Sequence, residues 1–244
     1  MAVVAVEKIG AISVIRIDRA DKLNAINAAV AVELQAAFDD FERGEQRVAV
    51  LSAAGERAFS AGADVSDLPE LWRCIPNVGF RTSKPIIAAT SGWCVGGGIV
   101  MVMMCDLMVS AESTLFYYPE AKLGLTGGMI SSLAQRMPHK LAMEVMLLGR
   151  QMNAQRAYEV GLINQVVPTG QQLEVAMTMA EEICGMAPLV IRTIKRFVGQ
   201  IIPQSPSEMY ARTLQQLDAI RLSEDLEEGK RAFKEKRKPR FEGR

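Results

Sequence analysis

The sequence predicts an α/β fold on three observations. Short β-branched runs alternate with helical patterns as far as about residue 170, only helical patterns follow, and no fixed-period repeat or low-complexity linker interrupts the chain. Residues 3–6 and 12–17 read as an opening hairpin that turns through Glu7, Lys8, Ile9 and Gly10. Asn27 is placed to cap a helix running to about Arg43, because Val30, Leu34, Ala37, Phe38 and Phe41 recur at three-and-four spacing and Gly44 stops the pattern. Residues 48–51 form a short buried strand, and the same apolar pattern returns at 86–89, 107–109 and 163–167. Residues 173–183, 189–198 and 208–222 read as helices. Ser205, Pro206 and Glu208 give the last of these a capping box with proline in its first turn. The charged tail, 224–240, reads as helical until Pro239.

Composition narrows the function. A length of 244 residues allows one large domain or a core with an appendage, and 49% apolar with 23% charged residues is a globular profile. Lys+Arg and Asp+Glu balance at 28 each, so no bulk charge draws the chain to nucleic acid or an anionic membrane. The single histidine, His139, would have to carry any protease triad or His-ligated zinc site alone. Cys74, Cys94, Cys105 and Cys184 form no C-x-x-C pair and read as buried thiols of a reducing compartment. The first ten residues lack a secretory pattern, and the apolar stretch 93–105 is too short and glycine-rich to span a bilayer, so a cytoplasmic location is expected. P-loop, dinucleotide-binding, nucleophile-elbow and zincin motifs are absent.

Three segments carry candidate chemistry. In Phe59-Ser60-Ala61-Gly62-Ala63-Asp64, small residues leave backbone amides accessible, and a helix-compatible stretch follows at 65–71. In Ser91-Gly92-Trp93-Cys94-Val95-Gly96-Gly97-Gly98, glycines stand where a strand hands over to an apolar helix, where free amides suit an anion or a developing oxyanion. In Tyr117-Tyr118-Pro119-Glu120, a carboxyl beside aromatic rings has the setting that raises a pKa towards that of a useful base. Singly, each has a plainer reading: tight packing for the glycines, a helix first turn for the glutamate. Together, two amide-rich turns and one carboxylate make up an oxyanion hole with a base and need no histidine.

The order F-S-A-G-A-D, K-P-I-I-A-A-T-S-G-W-C-V-G-G-G, M-C-D and Y-Y-P-E-A-K-L-G-L, with residues 149–168 and the tail S-E-D-L-E-E-G-K-R-A-F-K-E-K-R-K-P, resembles the crotonase (enoyl-CoA hydratase/isomerase) superfamily over almost the whole chain. The resemblance implies a crotonase-like spiral of ββα turns carrying the acyl-CoA site over residues 1–187, and a helical C-terminal trimerisation layer over 188–244. It also implies a homotrimer or dimer of trimers acting on an acyl-CoA thioester, with no metal and no cofactor beyond the coenzyme A of the substrate. Ala63 and Gly97 match the residues whose amides bind the thioester carbonyl, and Ala61, Gly62, Asp64, Gly96 and Gly98 surround them. Glu120 matches the second of two hydratase glutamates, whereas Val100 stands where the first would be. Trp93 reads as pocket wall and Tyr117 as lining or a nearby hydroxyl, with Tyr118 beside it. Asp106 resembles a structural acid, and Phe233 and Lys236 match tail positions that can contact coenzyme A from a neighbouring subunit.

Valine neither accepts nor donates a proton. Water addition to an enoyl thioester is shared by two carboxylates in hydratases, while moving a double bond from C3 to C2 needs one base that takes a proton from C2 and returns it to C4. The sequence therefore favours enoyl-CoA isomerisation. The alternatives are a hydratase using Asp67 or Glu70 as second acid, decarboxylase or CoA hydrolase chemistry, and a non-catalytic acyl-CoA-binding member. Zero net charge and the lack of a basic, aromatic-laced stripe count against RNA.

Overall fold

The computed structural model describes residues 2–244; Met1, the first residue of the expected core unit, lies outside them. β1 (Val4–Ile9) and β2 (Ile12–Ile17) pair antiparallel around Gly10, which sits at φ +55°. β1 therefore runs past Val6, because its outer half is exposed at a sheet edge where Glu7 and Lys8 are tolerated. α1 (Ala28–Arg43) follows, with Asn27 Oδ1 accepting from Val30 N at 3.1 Å and Val30, Leu34, Phe38 and Phe41 buried.

The chain then alternates between two sheets. β3 (Val48–Ala53), β5 (Ile86–Thr90), β7 (Leu107–Ala111) and β10 (Gln165–Val167) extend the first sheet in the order β1-β2-β3-β5-β7-β10. β4 (Ala58–Ser60), β6 (Trp93–Val95), β8 (Leu115–Tyr117) and β9 (Met152–Asn153) form the second. Each of β3, β5 and β7 is followed by a strand of the second sheet and then by helical chain: a 3-10 turn (Leu71–Cys74), α2 (Gly97–Met103) and α3 (Glu120–Leu123). That repetition is a spiral of ββα turns. α4 (His139–Leu148) and α5 (Ala154–Glu159) flank β9.

Both faces of the large sheet are covered, so its strands read as unbroken apolar runs. Ile15, Ile17, Leu51 and Ala88 face α1, α2 and the small sheet; Ile12, Val14, Val50 and Ile87 face Ala176 and Ala180 of α6 (Gln172–Cys184). Beyond α6 the chain is helical. α7 (Pro188–Ile201) is tied down by Lys195, whose Nζ donates to Asp106 Oδ2 at 2.6 Å and to Lys84 O at 2.7 Å. α8 (Pro206–Arg221) has the expected capping box, and its buried Glu208 also accepts from Ser132 Oγ at 2.7 Å. α9 (Glu224–Glu235) stops short of Pro239 because Lys236 turns left-handed at φ +53° and Arg237 folds back onto Glu228 at 2.6 Å.

Two further expectations are corrected. Residues 65–70 form turns and not a helix: Asp64 Oδ1 accepts from Ser66 N and Oγ, closing a local turn, and Pro69 follows. The Cys74, Cys94 and Cys105 thiols are enclosed as expected, while Cys184 is only half-buried; all four are free.

Asn24 holds the chain where β2 gives way to α1. It is buried at φ +53°, accepts from Arg19 N at 3.0 Å, and donates to Ala54 O and Ala58 O at 2.9 and 2.8 Å. Asn24→Ala strands one amide and two carbonyls and is expected to cost about 2–4 kcal/mol of stability. Urea unfolding would measure it, and a shift below about 0.5 kcal/mol would contradict the role assigned to this side chain.

Candidate active site

The first amide segment is anchored like a strand. Ile26 N donates to Gly62 O and Asp64 N donates to Ile26 O, both at 2.8 Å, which turns the Ala63 N–H to the opposite side, where it has no acceptor among the described residues. Ala61 N is held by Leu23 O at 2.9 Å. Arg19 pins the segment through Asp64 Oδ2 at 3.1 Å and Ala25 O at 2.7 Å. Hydrogen bonds from Ser66, and then from Arg19, hold the Asp64 carboxyl below the usual carboxylate range. Asp64 is thus a fixed, ionised anchor.

The second segment lies against the first. Gly62 sits at φ +91°, and a Cβ there would come 3.1 Å from Val95 O. Gly96, at φ +52°, donates to Tyr117 O at 3.0 Å, and a Cβ on it would collide with Glu120 Oε1. Glycine is favoured here by the backbone, at φ +52° and ψ −114°, and it leaves the space of a side chain to the carboxyl. Gly97 opens α2, so its amide has no intrahelical acceptor. Leu71 packs on Gly97, where a Cβ would meet Leu71 Cδ1 at 2.8 Å, and Gly98 packs on Ser60 of β4.

Glu120 is the first residue of α3, after Pro119. Its Oε2 is buried without a hydrogen-bond partner, and burial pushes its pKa up to about 7. Burial raises the Tyr118 phenol, with the Glu120 charge adding to it, and the hydroxyl shares a 2.9 Å hydrogen bond with Thr126 Oγ1. Val100, on α2, is 4% exposed within the main core. Two unpaired amides beside a carboxyl that exchanges its proton near neutrality can hold an oxyanion while a proton moves.

The structure thus brings Ala61, Gly62, Ala63, Gly96, Gly97 and Glu120 into one constellation. Trp93 and Tyr117 share one face of the small sheet, their ring centroids 6.3 Å apart, and Lys122 Nζ lies 5.4 Å over the Tyr117 ring. Phe233 is 88% exposed on α9 and Lys236 ends that helix, which packs on α8; within one chain neither is hydrogen-bonded to the glycine segments or Glu120. Of the other acids weighed, Asp67 is exposed and accepts from Asn27 Nδ2, Glu70 is paired with Arg73, and Asp106 accepts from Ile86 N and Lys195. The sequence reading missed Arg19 and Leu71. Arg19 meets Asp64 across a long stretch of chain with no motif, and Leu71 was absorbed into the helix-compatible stretch. Among the described residues, no three His, Cys, Asp or Glu side chains gather as metal ligands do, and no helix is long and apolar enough to cross a membrane.

Comparison with known proteins gives the chain its relatives. Residues 7–244 match the family described as enoyl-CoA hydratase/isomerase. A carnitinyl-CoA dehydratase of Escherichia coli O157:H7 is 34% identical over 235 residues, spanning 89% of this chain and 90% of that protein. An (E)-benzylidenesuccinyl-CoA hydratase of Thauera aromatica is 32% identical over 211 residues, 81% of this chain and 82% of that protein. Among solved structures, a carnitinyl-CoA hydratase from Mycobacterium avium superposes with a TM-score of 0.79 at 32% identity, and an enoyl-CoA hydratase from Mycobacterium tuberculosis H37Rv with 0.78 at 34%, each covering 100% of both chains.

The raised pKa of Glu120 makes a signed prediction. Its proton is bound more tightly in the folded than in the unfolded chain, so the associated stability is fully present below 4.5 and is lost as pH rises to about 7. Glu120→Gln removes that titration. Chemical unfolding should show the variant gaining on the wild type as pH rises through this window and holding a constant advantage above it; parallel stability curves would contradict the buried, unpaired carboxyl.

Proposed function

The chain belongs to the enoyl-CoA hydratase/isomerase family, and from that premise we propose that it shifts the double bond of an enoyl-CoA thioester with Glu120 as its single base. It is an acyl-CoA-processing enzyme of the crotonase superfamily. The observation that carries the finer reading is the pairing of a lone carboxyl of pKa about 7 beside Gly96 with a valine, Val100, sunk in the apolar core.

In the proposed reaction the thioester oxygen accepts from the Ala63 and Gly97 amides, which draws electron density from C2. Glu120 takes a C2 proton, and the C–H electron pair passes into an enolate whose oxygen the two amides hold. The protonated carboxyl then returns the same proton to C4, and the double bond moves from C3–C4 to C2–C3. A carboxyl of pKa near 7 suits both halves, since it is neither too weak a base to take the proton nor too weak an acid to return it.

Around these groups, Gly62, Gly96 and Gly98 let the segments close up, Asp64 anchors the first of them, and Trp93, Tyr117 and Val100 shape the acyl end. Coenzyme A enters as part of the substrate, with no separate cofactor or metal. Residues 1–187 carry the site and 188–244 carry assembly, in which Phe233 and Lys236 of a neighbouring copy reach the coenzyme. The apolar face of α7, with Leu189, Ile194, Phe197 and Ile201 more than half exposed in a single chain, supports a homotrimer or dimer of trimers. A cytoplasmic setting, with no nucleic acid or membrane partner, fits the balanced charge.

A second reading, removal or addition of water, is favoured by relatives named carnitinyl-CoA dehydratase and (E)-benzylidenesuccinyl-CoA hydratase. One carboxyl serves here too if it passes the C2 proton to a departing 3-hydroxyl.

Assays on matched short-chain 3-enoyl-, 2-enoyl- and 3-hydroxyacyl-CoA thioesters separate the two. Double-bond shift should exceed water addition and loss by at least about tenfold, and Glu120→Gln should lose on the order of 10² to 10⁴ in rate. Water chemistry faster than the shift, or a near-wild-type Gln variant, would overturn the proposal. Sedimentation equilibrium should give three or six chains per particle, and an active monomer would refute the assembly.

A further inference from the structure

A groove of about 500 Å³ runs between residues 69–72 and α8. Leu71, Trp72, Met129, Tyr210, Ala211 and Leu214 wall it. Leu71 is also the side chain that packs on Gly97, so the groove opens beside the amide assigned to the thioester oxygen. Its far wall belongs to the same chain and is fixed: Glu208 is hydrogen-bonded to Ser132, Asp218 pairs with Arg73 at 2.7 Å, and Gln215 Nε2 donates to Gly79 O at 2.8 Å.

We propose, building on the acyl-CoA reading above, that this groove seats the acyl group and selects a bulky, uncharged one, a medium-length alkyl chain or an aryl group. Size is the first argument. A cavity of about 150 Å³ holds benzene, so this groove has room for roughly three times that bulk, and a four-carbon acyl group would leave most of an apolar wall wet. Charge is the second. Glu70 is the one charged residue lining the groove, and it is paired with Arg73 at 2.7 Å. An acyl carboxylate would meet Glu70 and find no free cation. An acyl ammonium would find the face of Trp72 taken, because the Arg73 guanidinium lies 4.5 Å over that ring and is itself held by Glu70, Asp218 and Gln35.

Each methylene moved from water into such a wall is worth about fourfold in affinity. Titration calorimetry with unreactive butyryl-, decanoyl- and phenylpropanoyl-CoA, a four-carbon acyl-CoA ending in trimethylammonium, and a ten-carbon acyl-CoA ending in carboxylate tests the claim. Decanoyl- and phenylpropanoyl-CoA should bind at least about tenfold more tightly than butyryl-CoA and than both charged thioesters. Ala211→Phe, which fills the groove, should cut the decanoyl-to-butyryl preference by about tenfold or more. Should that variant fail to fold, Tyr210→Ala, at an exposed position, should lower the preference several-fold. Butyryl-CoA binding as tightly as decanoyl-CoA, or tightest binding of a charged thioester, would overturn the groove assignment and leave the acyl-CoA reading standing. Binding of none of the five would overturn both.

Discussion

The site depends on one close approach, the Glu120 carboxyl lying in the space that a side chain at residue 96 would fill. Around Gly96 three successive turns of the spiral meet. The chain leaves β6 there at φ +52°, its amide is fixed by Tyr117 O of β8, and the loop after β4 rests on it through Gly62. With no Cβ in the way, the amide of Gly97 and the carboxyl of the next turn share one small volume. A larger residue at position 96 would meet the flexible end of the Glu120 side chain and push its carboxyl out of the volume it shares with the Gly97 amide.

That approach also explains the electrostatics. α3 has only four residues, and its first side chain is pressed against backbone, so one carboxylate oxygen is sealed from water with no donor in reach. Desolvation then acts almost unopposed, and the carboxyl titrates where an imidazole ordinarily would. The contrast with Asp64 is instructive: an acid in the neighbouring segment, given Ser66 and Arg19 as donors, is held ionised and serves as an anchor. The difference between the two acids lies in the donors each is given.

What was legible in the sequence was local. The Asn27 cap, the Gly44 stop and the Ser205–Glu208 capping box each involve residues within a turn of one another, and the strands of the large sheet announce themselves because both faces are buried. The amide-rich turns were legible for the same reason. The contacts that decide geometry were not. Arg19 reaches Asp64, and Leu71 reaches Gly97, across chain separations that leave no periodic trace, and the helical composition of 65–71 is overridden by a turn that one aspartate side chain closes. The two- and three-residue strands of the small sheet are too short for alternation to show. The left-handed turn at Lys236 follows from Glu228 gathering Arg237 and Arg240 N, a tertiary demand that no propensity of lysine reveals.

As a single carboxyl, the proposed base finally links to the groove. A proton lifted from C2 by one group can be handed only to an atom that the same group reaches, either C4 of the chain or an oxygen on C3. Val100, buried among apolar neighbours, supplies no second acid to widen that choice. On the proposed chemistry, the recipient is set by how the acyl group lies, and its lie is set by where its bulk is seated. Leu71 stands at that junction, one side on Gly97 and the other on the groove. Reaction type and acyl preference are then two consequences of one packing arrangement: a seat that draws the chain into the groove from C4 onward fixes which atom, C4 or an oxygen on C3, the carboxyl can reach.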